Sequence, residues 1–304
     1  MRNDRPLLGI LFMVGFCITA PVMDAMAKLT PHEVPVSEIL AARFGVQVLA
    51  LIPLAMLFGL LHRPNAKEMA GHLLRGFMLL LATYLFFSAI RHMPIANAMA
   101  IFFVEPFILT LLGGLFLGED IGPRRIIACI VGFIGALFVI QPSFDQLGLI
   151  ALYPLGTAVC FAAYMLLTRA MSANQHPITL QAYTAVAASV LILPLIFAFE
   201  GSGNEFLDPV WPSAFAWKTL LAVGIIASIS HLLLSTALKL APATTIAPLQ
   251  YLEIAGSVTV GYLLFQDFPN RLTWIGITII VTSGLYVFAR ERAASLKRPP
   301  PPPV

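Results

Sequence analysis

Ten apolar runs, each near the ~20 residues a helix needs to cross a bilayer, follow one another along the chain: 7–27, 36–61, 70–90, 94–117, 123–141, 148–170, 178–199, 214–238, 242–265 and 271–290. In hydrocarbon the backbone has no water to bond, so unbroken runs of this length pair their own N–H and C=O groups as helices. The composition agrees. It is 59% hydrophobic and 11% charged, where a soluble domain carries roughly 25% charged residues, and the mean hydropathy is +0.89. The expected fold is an all-α membrane protein of ten transmembrane helices, with the lipid bilayer as its first partner and the bundle interior as its core.

Charge placement orients the bundle. With the N-terminus in the cytoplasm, thirteen Lys and Arg fall on the cytoplasmic side, Arg63, Lys67, Arg75, Arg124 and Arg125 among them. Four fall outside (Lys28, Arg91, Lys218 and Arg271), and Arg43 lies within a span. This positive-inside bias puts both termini in the cytoplasm. The opening Met1-Arg2-Asn3-Asp4-Arg5 imitates a signal peptide, but the following run reaches about Met26 without a small-x-small cleavage site and reads as an uncleaved first helix.

The two halves match internally. Laid over 237–290, residues 89–142 place Pro94 on Pro242, Glu105 on Glu253 and Glu119 on Asp267. Pro94 and Pro242 suit the first turn of a helix, which makes spans three–four and eight–nine tight hairpins. Five crossings per half bring the second half in from the opposite side, so the expected repeats are inverted: 1–142, then 143–291. A solvated Pro-rich cytoplasmic tail, 292–304, follows. Carriers built on inverted repeats place their site near the midplane between the halves.

Glu105 and Glu253 are the foremost site candidates, each expected near mid-bilayer, where a carboxylate is costly and marks function. Two facing carboxylates suit proton coupling or hydrogen bonds to a polar ligand; a structural hydrogen bond is the plainer reading. Asp24 and Arg43 lie at similar depth below the outer boundary, where a salt bridge is feasible, as a gate or as a static tie; an unpaired Arg43 would bear on an anionic or carbonyl-rich substrate. Tyr84, Asn97, Gln250, Tyr251 and Tyr164 fill out the candidate cavity, where rings and amides suit a planar heterocycle. His231, among Ser228, Ser230 and Ser235, is a proton relay or a satisfied interhelical histidine.

Other chemistry is disfavoured. Cys17, Cys129 and Cys160 lie in apolar runs without paired spacing, so neither a disulfide framework nor a metal site is expected. There is no His-Glu-x-x-His, no P-loop and no basic cluster with interleaved aromatics. We therefore expect no catalytic residues, no cofactor, no metal and no nucleic acid. A non-transporting receptor lacks a sizeable extramembrane domain to signal with. Gly113-Gly114, Gly132 to Gly135, Gly256 and Gly261 read as sites of close helix approach.

The chain resembles the EamA branch of the drug/metabolite transporter superfamily over nearly its whole length. The resemblance rests on Ala42-Arg43-Phe44, Glu105-Pro106, Gly113-Gly114-Leu115-Phe116-Leu117-Gly118-Glu119 and Gly132-Phe133-Ile134-Gly135, in that order and spacing. The second half departs from it, with Gln266-Asp267 for Gly118-Glu119 and Glu253-Ile254 for Glu105-Pro106. The resemblance implies a carrier of small metabolites in the bacterial inner membrane. The stretch Phe103-Val104-Glu105-Pro106-Phe107 is most like the riboflavin importers, which makes riboflavin uptake the first expectation. An S-adenosylmethionine or amino-acid-type carrier is the alternative, favoured by the two carboxylates because that sulfonium is a cation.

Overall fold

The structure is a computed structural model in which residues 6–117, 123–172, 175–240 and 247–296 are described. Among them are eleven α-helices: α1 (Pro6–Leu29), α2 (Val36–Leu57), α3 (Ala66–Ile90), α4 (Ile95–Phe102), α5 (Glu105–Leu117), α6 (Pro123–Leu147), α7 (Tyr153–Ser172), α8 (Pro177–Ala198), α9 (Ala214–Leu240), α10 (Leu252–Phe265) and α11 (Arg271–Leu296). Two 3-10 turns, Gly148–Leu152 and Ala247–Tyr251, precede α7 and α10. Six of the helical segments, in α1, α2, α3, α7, α8 and α9, are long and apolar enough to cross a membrane. The remaining apolar helices are shorter. The chain is a multi-pass helical membrane protein. Pro242, Gly118, Glu119 and the tail prolines 299–303 lie outside the described residues.

Local chemistry sets the helix ends. Asn65 caps α3: its Oδ1 accepts from Glu68 N at 2.9 Å while Glu68 Oε2 accepts from Asn65 N at 2.9 Å, a reciprocal capping box. The helix therefore starts at Ala66 rather than near residue 70. Pro94 stands at the N-cap of α4, one place before the first helical turn expected of it. At the far end of α10, Gln266 adopts a left-handed φ of 58° and stops the helix.

The expected span 94–117 is not one helix. It breaks at Phe103–Val104, and α5 starts at Glu105. The cause is local: Pro106 has no N–H to offer Phe102 and its ring crowds the carbonyl one turn back. Val104 O accepts from Phe107 N at 3.0 Å and Ile108 N at 3.1 Å and so restarts the ladder. In the span 242–265 the described part opens on the 3-10 turn that holds Pro248, and α10 begins at Leu252. Glu105 and Glu253 thus sit in the first turns of half-helices, where a carboxylate complements the positive end of the helix dipole.

The main packing pairs are α1 with α9 and α10, α2 with α8 and α9, α3 with α7 and α8, α5 with α7, α4 with α10, and α6 with α11. Exchanging α1, α2, α3, α4–α5 and α6 for α7, α8, α9, α10 and α11 returns this same set of pairs. Glycines permit the closest approaches. A Cβ on Gly76 of α3 would meet Ala187 at 2.7 Å, and one on Gly224 of α9 would meet Val46 at 2.5 Å. Gly135 of α6 opposes the backbone oxygen of Gly276 in α11, and Gly256 of α10 opposes Cys17 O and Pro21. Gly261 is different: its Cβ would meet only Asp267 O, at 3.7 Å, and no helix.

Connections gather at two ends. Lys28 Nζ reaches Asp267 Oδ2 and Met93 O, both at 3.0 Å, joining the end of α1 to the α10–α11 and α3–α4 connections. Arg91 donates to Val34 O at 2.6 Å, and Ser37 Oγ to Phe206 O at 2.6 Å. At the other end Thr179 Oγ1 donates to Leu60 O at 3.1 Å and Tyr183 Oη to His62 O.

Candidate functional site

A partly open cavity of about 80 Å³ lies between α1, α2, α3, α4, α7, α9 and the Gln250–Glu253 segment. Its wall is apolar for most of its extent. Phe86, Phe102 and Phe161 form an edge-to-face chain, with centroids 6.1 Å apart for Phe86–Phe102 and 5.5 Å for Phe102–Phe161. Charge is concentrated in Asp24 from α1, Arg43 from α2 and Glu253 from α10, with His231 from α9 beside them. All four are buried, Arg43 to 1% exposure.

Asp24 and Arg43 do not form that salt bridge; among the described residues no carboxylate lies within 4.0 Å of Arg43. Its guanidinium instead contacts Thr83 Oγ1 and, at 2.6 Å, His231 Nε2, while its Nε is buried without a partner. It also lies over the rings of Phe44 and Phe87, at 5.0 and 5.8 Å. The reason is positional: Thr83 and His231 flank Arg43 from α3 and α9, and α2 packs on both α8 and α9. Among the described residues the Asp24 and Glu253 carboxyl groups make no hydrogen bond or ion pair; Asp24 lies within electrostatic reach of both Glu253 and Arg43.

Of the remaining candidates only Gln250 is among the lining residues; the others are distributed around the cavity. Glu105 stands behind, close enough to Glu253 and Tyr251 to couple electrostatically, with its Oε1 buried and unpartnered. Tyr251 packs on Phe103, centroids 5.4 Å apart. Asn97 Oδ1 accepts from Thr273 Oγ1 at 3.4 Å, a tie between α4 and α11. Tyr84 neighbours Ser88 and Tyr153. Tyr164 Oη accepts from Arg75 and from Gln181 Nε2, both at 3.0 Å.

Arg75, counted on the cytoplasmic side from the sequence, is fully buried, nine residues or ~14 Å inside α3. It donates to Thr168 Oγ1 at 2.8 Å, Leu180 O at 2.9 Å, Thr184 Oγ1 at 2.5 Å and Tyr164 Oη at 3.0 Å. Gln181 continues this network to Ser235 Oγ at 2.5 Å and to His231 O at 3.4 Å, behind the wall that holds Arg43. The apolar run 70–90 already contains Arg75, and the Asn65-x-x-Glu68 capping pattern places it a turn deeper. Thr83, Gln181 and the phenylalanine chain carry no such signal.

The EamA-like transporter family matches residues 7–141 and again 147–289. The chain is 25% identical over 300 residues to a riboflavin transporter of Vibrio cholerae, covering 96% of this chain and 97% of that protein. It is 29% identical over 277 residues to a pseudopaline exporter of Pseudomonas aeruginosa (90% and 94%). It is 25% identical over 291 residues to an S-adenosylmethionine uptake transporter of Rickettsia bellii (96% and 97%). A solved crystal structure shares the fold with a TM-score of 0.63 at 18% identity, covering 96% of this chain and 98% of the other.

Proposed function

The chain belongs to the EamA-like transporter family, and we propose that it carries a small metabolite across the bacterial inner membrane by alternating access through the cavity between its halves. The observation that carries this reading is a cavity walled by helices of both halves, with Asp24, Arg43 and Glu253 buried in it. Charged groups at that depth are retained where a polar solute or ion passes. No catalytic residue or cofactor enters the reading; the activity is transport.

The architecture behind it is ten crossings in two inverted repeats, 1–142 and 143–291, with both termini cytoplasmic. The exchange of packing pairs between the halves supports this, as does the gathering of connections at two ends. Rocking one half against the other then exposes the cavity to each side in turn.

Riboflavin uptake has the support of the Vibrio relative; the alternative, an S-adenosylmethionine or amino-acid-type solute, has that of the Rickettsia relative. The test is flux of labelled riboflavin, S-adenosylmethionine and a panel of amino acids into proteoliposomes, for wild type and Glu253→Gln. Flux of one solute class that collapses in the variant is expected. Correctly folded protein that moves none of them overturns the carrier reading. Equal flux in the variant removes the cavity as the route.

A further inference from the structure

The charges lining the cavity are opposite in sign yet unpaired. Arg43 contacts only Thr83, His231 and aromatic faces, none of which carries a neutralising carboxylate. Asp24 and Glu253 share the same cavity, also without ion pairs among the described residues. A static bundle gains by closing such charges onto each other, because an uncompensated charge in a low-dielectric interior is costly. Held apart, one guanidinium and two carboxyl groups face the same cavity.

We propose that the cavity binds a solute with an amino-acid head group, its carboxylate on Arg43 and its ammonium between Asp24 and Glu253. This rests on the carrier reading and specifies the solute class for that site. A guanidinium is suited to a planar carboxylate. The ammonium answers two carboxylates that otherwise repel each other, since α1 and α10 pack together and bring Asp24 and Glu253 into reach. The chain of Phe86, Phe102 and Phe161 takes the apolar or planar remainder of the solute. A neutral heterocycle fits that wall equally well but offers Arg43, Asp24 and Glu253 no partner of opposite charge when it binds.

The test is binding to the purified full-length protein by thermal shift and calorimetry. The probes are S-adenosylmethionine and a set of amino acids with apolar or aromatic side chains. Each amino acid is compared with its descarboxy amine and its desamino acid, and S-adenosylmethionine with its decarboxylated form. Riboflavin serves as the uncharged comparison. At least one dipolar probe is expected to bind ten times or more tightly than either truncated form. Arg43→Gln should abolish the preference over the descarboxy amine alone, and Asp24→Asn the preference over the desamino acid alone. A purely structural role for either residue weakens all forms alike, and that outcome overturns the inference. Arg43→Lys provides a second, charge-preserving variant should Arg43→Gln not fold; it should retain preference for the carboxylate. Riboflavin binding without any dipolar probe binding overturns the inference while leaving the carrier reading intact, as does no response to any dipolar probe alongside measurable riboflavin flux. Dipolar binding without flux of any solute leaves the inference standing and overturns the carrier reading.

Discussion

Phe103 and Tyr251 lie against each other with ring centroids 5.4 Å apart, joining the two irregular spans two residues ahead of Glu105 and of Glu253. Each span also seats an aromatic ring on a glycine of its neighbour. Phe107 occupies the space a Cβ on Gly132 of α6 would take, and Tyr251 the space a Cβ on Gly284 of α11 would take. Gly132→Ala and Gly284→Ala should each force a ring out of its seat, at a cost of ~1–3 kcal/mol for overpacking, and slow transport severalfold. Gly45→Ala is the control, because a Cβ there meets nothing within 4 Å; with the helix propensity of alanine it should be neutral or stabilising by up to ~1 kcal/mol. Thermal unfolding and initial uptake rates on the three variants decide the matter.

Glu253 lines the cavity and Glu105 does not, so their neutralisations should differ in kind. Glu253→Gln is expected to weaken solute affinity by about tenfold, the effect of one lost charge contact of ~1.4 kcal/mol, and to reduce flux with it. Glu105→Gln should reduce flux with a smaller change in affinity, because Glu105 acts through Glu253 and Tyr251. Both proteins should insert and purify as wild type does. Binding and flux measured on the same preparations separate the two effects. Wild-type flux in both variants removes the carboxylates from the transport cycle.

Three arginines should show three phenotypes. Arg75→Met removes four hydrogen bonds from a fully buried cation, and bonds to charged groups contribute ~1.5–3 kcal/mol each. Thr168 and Thr184 retain their bonds to Tyr164 O and Leu180 O, so the expected net loss is ~3 kcal/mol of stability. Arg91→Ala loses bonds to Pro31 O and Val34 O in a connection, where burial already lowers the Arg91 pKa, and should cost ~1 kcal/mol with near-normal flux. Arg43→Ala should reduce flux far more than Arg91→Ala. Melting temperature against flux across the three gives the pattern, and equal small flux effects for Arg43 and Arg91 reduce Arg43 to a structural tie.

The helical class and most span positions were legible because the bilayer imposes length and apolarity on every crossing. Glu105, Glu253, Arg43 and Asp24 were legible as exceptions to that apolarity. Partner choice was not. Arg43 bonds Thr83 and His231 rather than Asp24 because α2 packs on α8 and α9, and one sequence carries no record of which helices meet. The break at Phe103–Val104 is written in Pro106 but is masked in the hydropathy, because the apolar run continues through it without interruption. Arg75 lies inside the run 70–90, but its partners Thr168, Tyr164, Leu180 and Thr184 come from α7 and α8, which the sequence does not pair with α3. The tyrosines drew attention by their polarity, while the cavity wall is built from phenylalanines that look like ordinary lipid-facing residues.

The start of α8 makes one pH dependence local enough to isolate. His176 is its N-cap, with Nδ1 accepting from Ile178 N at 3.3 Å, a bond that needs the imidazole neutral at that nitrogen. Burial, and after it the Lys239 charge at the end of α9, lowers the His176 pKa from its ordinary value of 6.5. The folded protein therefore binds fewer protons than the unfolded chain as pH falls below that value, so the stability this residue contributes is present above pH ~6.5 and is lost on acidification. An N-cap is worth ~1 kcal/mol, or about 2 °C in a chain of this size, so a drop of that order is expected between pH 7.5 and 5. His92 is shifted the same way, by burial and then by His32 and Arg91, and leaves a residual slope. His176→Asn keeps a good cap that does not titrate, and should match wild type at pH 7.5 while exceeding it at pH 5. His176→Ala should be lower than wild type at pH 7.5 and close to it at pH 5. Melting curves of the three proteins across that range test the assignment, and parallel pH profiles for wild type and His176→Asn would refute it.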